Sequence, residues 1–255
     1  MTKVIMHGCN GHMGRVIAGL IEKDADVELV AGVDAFGESN YSFPVFKDLE
    51  SCNVEADAII DFSAAAAVDN LLKFCSENNM PVVLCTTGLS TEQLELVKET
   101  SKKTAVLKSA NMSLGVNLLI KMLGQATNVL ANAGFDVEIV EKHHNLKKDA
   151  PSGTALALAD SVNEALNNEY AYVYDRSTRS EKRPQKEIGI SAVRGGTIVG
   201  DHDVIFAGQD EVVTFSHTAY SKAIFGKGAI EAAKFLKGRQ PGLYDMQDVL
   251  ADVLG

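Results

Sequence analysis

The sequence predicts an α/β fold: a parallel sheet wrapped by helices, then a smaller α+β domain with a mixed, mainly antiparallel sheet. Three observations predict it. Short apolar runs alternate with amphipathic helical patterns through the first half. A glycine-spaced turn, Gly8 to Gly14, joins the first run to the first helical pattern. Three alternating, strand-like segments broken by glycines cluster in the last third. At 255 residues the chain can bury two modest cores.

Lys3 to His7 reads as a buried strand running into Gly8-Cys9-Asn10-Gly11-His12-Met13-Gly14, before apolar residues at helical spacing, Val16, Ile17, Leu20 and Ile21. The spacing is G-x-x-G-x-x-G, with Asn10 where a second glycine is usual in dinucleotide folds. Gly8 suits the tight turn, Gly11 close approach of a pyrophosphate, and Gly14 close packing of helix on strand. Val27 to Val33 forms a second strand ending at Asp34, about 20 residues after Gly14, where an acid accepts hydrogen bonds from an adenosine ribose. The first half therefore reads as Rossmann-like and dinucleotide-binding. An acid there repels a 2′-phosphate, and Ala35-Phe36-Gly37 offers no cation to pair with one, so NADH is favoured over NADPH.

The alternation continues with strands at Ala56 to Asp61, Pro81 to Leu84 and Thr104 to Lys108, and helices from about Ala65 to Asn78 and Thr91 to Lys102. Their ends, Phe62-Ser63, Cys85-Thr86-Thr87-Gly88 and Ser109-Ala110-Asn111-Met112, are small and polar, as expected where a parallel sheet binds ligands. Each turn has a plainer explanation: Ser90 and Ser113 suit helix caps and Gly88 suits a turn. Together they line a cofactor crevice.

Leu114 to about Leu130 is a long apolar helical pattern. A strand, Phe135 to Val140, then leads into Glu141-Lys142-His143-His144-Asn145-Leu146-Lys147-Lys148-Asp149-Ala150-Pro151-Ser152-Gly153-Thr154. Two histidines and three lysines precede a helix start, with Pro151 as its first residue and the amides of Ser152, Gly153 and Thr154 as an anion cradle. A solvated, capped strand-to-helix loop is the plainer alternative. The helix runs from about Ser152 to Leu166; Asn167 to Lys186 reads as an exposed excursion ending in a solvated charge run. Ile188 to Val193, Thr197 to Ala207 and Glu211 to His217 supply the second sheet, on which His202 and His217 read as structural. Tyr220 to Leu236 is an apolar helix suited to packing on the first domain.

Charge and cysteines narrow the function. A net charge of −10 argues against nucleic acid or an anionic membrane as partner. The four cysteines lack zinc-ligand or disulfide-framework spacing, so no metal is expected. The sequence opens without a basic, apolar leader and holds no window of about 18 uncharged apolar residues; the expectation is a cytoplasmic protein.

Over nearly its whole length the chain resembles the bacterial dihydrodipicolinate reductase family, the 4-hydroxy-tetrahydrodipicolinate reductases of the diaminopimelate and lysine pathway. The resemblance rests on Gly8 to Gly14, Asp61-Phe62-Ser63, Thr86-Thr87-Gly88, Ala110 to Asn117, and above all Glu141-x-His143-His144-x-x-Lys147-x-Asp149-Ala150-Pro151-Ser152-Gly153-Thr154-Ala155. Arg194-Gly195-Gly196 and Phe225-Gly226-x-Gly228-Ala229 fit as well.

The resemblance implies a dinucleotide-binding domain of residues 1–112 and 222–255, and a substrate-binding domain of residues 113–221 that builds a homotetramer. By position, Gly8, Cys9, Asn10, Gly11, His12, Met13, Asp34, Cys85, Thr86, Thr87, Ser109, Ala110, Asn111 and Met112 would hold NADH or NADPH. His143 would donate a proton with Lys147 as its partner, while His144, Ser152, Gly153 and Thr154 hold a small cyclic imine dicarboxylate. Three positions depart from the pattern: His12 and Ala35, where basic residues are common, and Cys85, where glycine is. Two rivals are another nicotinamide-dependent amino-acid or aldehyde dehydrogenase and a non-enzymatic dinucleotide sensor; the histidine-lysine segment argues against both.

Overall fold

The computed structural model describes residues 1–36 and 41–254. Gly37, the last of the three residues weighed against a 2′-phosphate, lies outside them. Contacts divide the chain into two compact units, Met1–Ser113 with Ala223–Gly255, and Leu114–Lys222.

The first unit begins with β1 (Thr2–His7), α1 (His12–Ile21), β2 (Val27–Val33), β3 (Val45–Phe46) and β4 (Ala58–Asp61). A 3-10 turn at Ala65–Ala67 leads into α2 (Val68–Asn78), then β5 (Val82–Leu84), α3 (Thr91–Ser101) and β6 (Ala105–Leu107). The second unit contains α4 (Leu114–Leu130), β7 (Asp136–His143), α5 (Gly153–Ala165), β8 (Ala171–Val173), β9 (Glu187–Arg194), β10 (Gly200–Ala207) and β11 (Val212–Ala219). The chain then returns to the first unit with α6 (Ala223–Leu236), β12 (Gly242–Tyr244) and α7 (Met246–Leu254).

Among the described residues the first sheet has seven strands in the order β12-β6-β5-β4-β1-β2-β3, every pairing parallel. Its central strands are buried on both faces, so they read as continuous apolar runs: Ala58, Ile59, Ile60 and Asp61 on β4 are all buried. Local chemistry sets the helix ends. Ser90 and Gln93 form a reciprocal capping box at α3, and Asn79 closes α2 in the left-handed conformation at φ 50°. Helix α6 packs on α1 and on β4, β5 and β6, burying Ala229, Ile230, Ala232, Ala233 and Leu236.

The second sheet is mixed, in the order β11-β10-β7-β9-β8. β10 runs antiparallel to β7 and β11, whereas β7 with β9 and β8 with β9 are parallel, so the antiparallel share is smaller than the sequence suggests. Helices α4 and α5 cover one face; Leu119, Leu123, Leu158 and Val162 meet Val137, Ile139, Ile190, Val204 and Phe206 in its core.

Two sequence expectations change here. Strand β7 runs three residues past Val140, so Glu141 and His143 belong to the strand and alternate inward with Val137 and Ile139. The charge run before β9 is not a merely solvated loop. Arg176 pairs with Glu187 and Glu138, Arg179 with Glu187, and Arg183 with Asp136 and Glu138. Arg183 also donates to the Val137 and Glu187 carbonyls, which straps the segment across β7 and β9.

Candidate active site

In the first unit the carboxyl ends of β1, β2 and β4 open onto a cleft of about 1080 Å³ lined by Gly8, Asn10, Gly11, Arg15, Asp34, Phe36, Tyr41, Phe62 and Ser63, among others. It lies where the strand order reverses about β1, the place at which open α/β sheets bind ligands. The glycines that shape it are structurally required. Gly8 has φ +81°, and a Cβ there would lie 2.7 Å from the Phe62 carbonyl oxygen; a Cβ on Gly14 would lie 2.3 Å from the Gly8 carbonyl oxygen. The Asp34 carboxylate accepts the Asn10 amide at 2.9 Å and the Phe36 amide at 3.0 Å, tying the end of β2 to the glycine turn. A tight glycine-shaped backbone turn with a carboxylate at its rim fits the phosphate and ribose groups of a dinucleotide.

In the second unit a buried polar cluster is built around Glu141, which has no solvent exposure. Arg194, from β9, grips it with two 2.7 Å hydrogen bonds. The Ser152 amide donates to it at 2.9 Å, and His143 Nδ1 lies 2.6 Å away. Burial pushes the Glu141 carboxyl up, but the hydrogen bonds from Arg194, His143 and Ser152 outweigh it and hold the group below the usual glutamate range. His202 of β10 packs edge-on against His143, ring centroids 5.2 Å apart, and its Nε2 lies 3.0 Å from Ser152 Oγ. Burial, reinforced by the charge of His143, pushes His202 down to about 4, so it is neutral near pH 7.

Residues 2–112 match the family model for the dihydrodipicolinate reductase N-terminus and residues 115–250 that for its C-terminus. A 4-hydroxy-tetrahydrodipicolinate reductase of Caldanaerobacter subterraneus subsp. tengcongensis is 54% identical over 98% of this chain and 98% of its own. The chain belongs to the dihydrodipicolinate reductase family. The reductase of Clostridium tetani is 48% identical over 98% of this chain and 97% of its own. A dipicolinate-bound reductase from Paenisporosarcina sp. TG-14 superposes with a TM-score of 0.78 at 25% identity, covering 96% of this chain and 97% of that one. This reductase is thus an oxidoreductase, and family membership over the whole chain sets aside the sensor and general dehydrogenase readings.

Of the residues expected to hold cofactor, Gly8, Asn10, Gly11 and Asp34 line the reductase's cleft. His12 and Met13 open α1 instead of sitting in a loop, because the helix begins at His12. The Cys9 side chain is fully buried and its thiol is pushed up to about 11 by burial and the nearby Asp34 charge, so only its backbone is offered to a ligand. Met112 is likewise a core side chain, 5% exposed. Cys85, Thr86 and Thr87 follow β5, and Ser109, Ala110 and Asn111 follow β6, along the same sheet edge but outside the cleft lining. Burial pushes the Cys85 thiol well up. The Thr86 hydroxyl is taken by Asp61.

Around the histidines the corrections are sharper. The Lys147 ammonium lies 2.8 Å from the Asp149 carboxylate. Pro151 is not the first helical residue: Ser152 caps α5 through the Ala155 amide, and Gly153 begins the helix. Ser152 is buried, its amide donating to Glu141 and its hydroxyl meeting His202 and the Ala155 amide, so it supports both Glu141 and His202. His144 is half-buried, its carbonyl accepting the Lys147 amide. Sequence reasoning missed Arg15 in the cleft and the parts played by Arg194 and His202. For His202 a signal existed: it shares the parity of Val204 and Phe206, the inward residues of β10.

Proposed function

We propose that the protein reduces 4-hydroxy-tetrahydrodipicolinate (dihydrodipicolinate) to tetrahydrodipicolinate in diaminopimelate and lysine biosynthesis, with NADH preferred over NADPH, His143 as proton donor and Lys147 stabilising developing negative charge. One observation carries the proton-donor assignment. His143 ends β7 with one ring nitrogen held by a buried carboxylate and the other beside Gly200, which has no side chain to cover it. The solved relative holding dipicolinate, a dicarboxylate, supports a dicarboxylate substrate here.

A nicotinamide cofactor held along the sheet edge of the first unit would supply the hydride that the electron-poor carbon of the substrate needs. His143 delivers a proton to the neighbouring carbon, a task suited to an imidazole and typically worth roughly 10²- to 10⁴-fold. The first turn of α5, at Gly153 and Thr154, receives one substrate carboxylate at the positive helix end, with His144 beside it in the chain. Lys147 exchanges Asp149 for the substrate's negative charge. Gly8, Cys9, Asn10, Gly11, His12, Met13 and Asp34, with Cys85, Thr86 and Thr87 after β5 and Ser109, Ala110, Asn111 and Met112 after β6, form the cofactor-binding edge of the first unit. Asp34 favours the unphosphorylated ribose, while Arg15, whose Nε donates to the Asn10 carbonyl, gives the cleft a cation that lets NADPH serve as well.

The protein acts in the cytoplasm as a homotetramer built through the second unit. Its sheet offers an uncovered face, with Val193 46% and Val212 61% exposed. No helix of the described residues is long and apolar enough to cross a membrane. The deciding experiment is a coupled assay in which the synthase makes the substrate from pyruvate and aspartate semialdehyde and loss of NADH or NADPH absorbance is followed separately. Oxidation of either cofactor, dependent on the synthase, is expected. Cofactor binding with no oxidation of either would overturn the reading.

A further inference from the structure

We propose that Glu141 is a positioning residue for His143: held by Arg194 and the Ser152 amide, it accepts a hydrogen bond from Nδ1–H and leaves Nε2 as the nitrogen that gives and regains the catalytic proton. The inference rests on the reading of His143 as proton donor. Residues 141 and 143 are two apart on one strand, so their side chains lie on the same face. A fully buried carboxylate would ordinarily tend toward protonation. Here the Arg194 fork, with two 2.7 Å bonds, and the Ser152 amide at 2.9 Å keep it ionised. An ionised carboxylate only accepts hydrogen bonds, so the 2.6 Å contact requires His143 to donate from Nδ1.

This fixes the neutral ring as the Nδ1–H tautomer and turns Nε2 toward Gly200, where a Cβ would stand only 3.0 Å away. Around the ring, Glu141 lies on its own strand, Arg194 stands opposite it on β9, and His202 approaches from β10. Lys147 and Asp149 lie in the segment leading to α5. Glu141 thus offsets the Arg194 charge that would otherwise oppose the imidazolium. During turnover the Nε2–H bond breaks, its electron pair stays on Nε2, and Glu141 remains ionised throughout.

The test combines pH profiles with nitrogen NMR of the histidine-labelled full-length protein, His143 being assigned by its loss in His143→Gln. Wild type above neutral pH is expected to show the Nδ1–H tautomer. Glu141→Gln is expected to lower kcat roughly 10²-fold, to move the alkaline limb of the kcat profile to lower pH, and to leave the cofactor KM unchanged. A mere loss of packing would not move that limb. If wild type turns over, His143→Gln does not, and the Glu141→Gln profile overlays that of wild type, the positioning role is overturned while the proton donor stands. If His143→Gln turns over normally, the proton-donor reading fails instead. Should Glu141→Gln not fold, the wild-type spectrum decides alone: an Nε2–H tautomer at His143 overturns the inference.

Discussion

The Thr86 hydroxyl donates a 2.6 Å hydrogen bond to Asp61, a carboxylate with no solvent exposure. The same carboxylate takes His7 Nδ1 at 2.8 Å and the Ser63 amide at 3.2 Å, so the ends of β1, β4 and β5 are locked through one buried charge. Thr86→Val removes a donor without changing shape and is expected to destabilise the protein by about 1–3 kcal/mol. The midpoint of urea unfolding measures this, and Thr86→Ser should restore most of the loss.

Gly14 tolerates no side chain. A Cβ there would fall 2.3 Å from the Gly8 carbonyl oxygen and 2.5 Å from that of Cys9, both rigid backbone atoms. Gly14→Ala must push α1 off the glycine turn. The expected result is a loss of about 1–3 kcal/mol in stability and weaker NADH binding in a fluorescence titration; unchanged binding would mean that the turn does not carry the cofactor.

Asp34→Ala combined with Ala35→Arg exchanges a repelling charge for an attracting one at the end of β2. The ratio of kcat/KM for NADH over NADPH should fall roughly tenfold or more. Absolute NADH affinity should fall as well, because Asp34 also holds the Asn10 and Phe36 amides. An unmoved ratio would assign cofactor choice to another residue, of which Arg15 is the first to test.

Lys147→Ala and His143→Ala should each lower kcat by roughly 10²-fold or more with cofactor affinity little changed. The Lys147 ammonium rests on the Asp149 carboxylate while His143 is held by Glu141, which predicts that the two variants differ in KM. Lys147→Ala should raise the substrate KM, since in the proposed mechanism it removes a charge that meets the substrate. Equal KM values would place both in one proton-transfer unit.

Stability should fall on acidification, with a known sign. His202 has its folded value lowered from 6.5 to about 4, so between those values the unfolded chain binds the proton and the folded chain does not. Glu141, also lowered, adds stability that is present above its unfolded value and lost as pH falls through its folded one. Both terms make stability rise with pH. The His202 contribution amounts to about 2 kcal/mol lost between pH 7.5 and pH 5. His202→Gln should flatten the dependence of Tm on pH over that window, and an unchanged slope would show that another group titrates.

The parallel sheet was legible because its buried strands are apolar runs and its first turn carries glycines at mandatory spacing. The strands β3, β8 and β12 were not legible, having two or three residues each at or near sheet edges, too short for any periodicity. The segment Glu141 to His143 looked like loop because charge density masked the alternation that continues from Val137. Arg176 and Arg183 looked solvated because their partners Glu138 and Asp136 are distant in sequence and adjacent only once β7 lies beside β9. The same limit hid Arg194: the motif around His143 was readable, but the strand pairing that brings a guanidinium onto Glu141 was not.

The return of α6 and β12 to the first unit governs how the protein can be made. β12 completes the sheet beside β6, and α6 seals β4, β5 and β6, yet both are translated after the whole second unit. On the ribosome the amino-terminal strands must wait, with part of their apolar surface uncovered, while Leu114–Lys222 emerges and can close its own sheet first. The insertion thus reverses the usual amino-to-carboxyl order of domain maturation: the unit begun first is finished last, and a chain stalled before residue 223 leaves the ribosome with its dinucleotide half open.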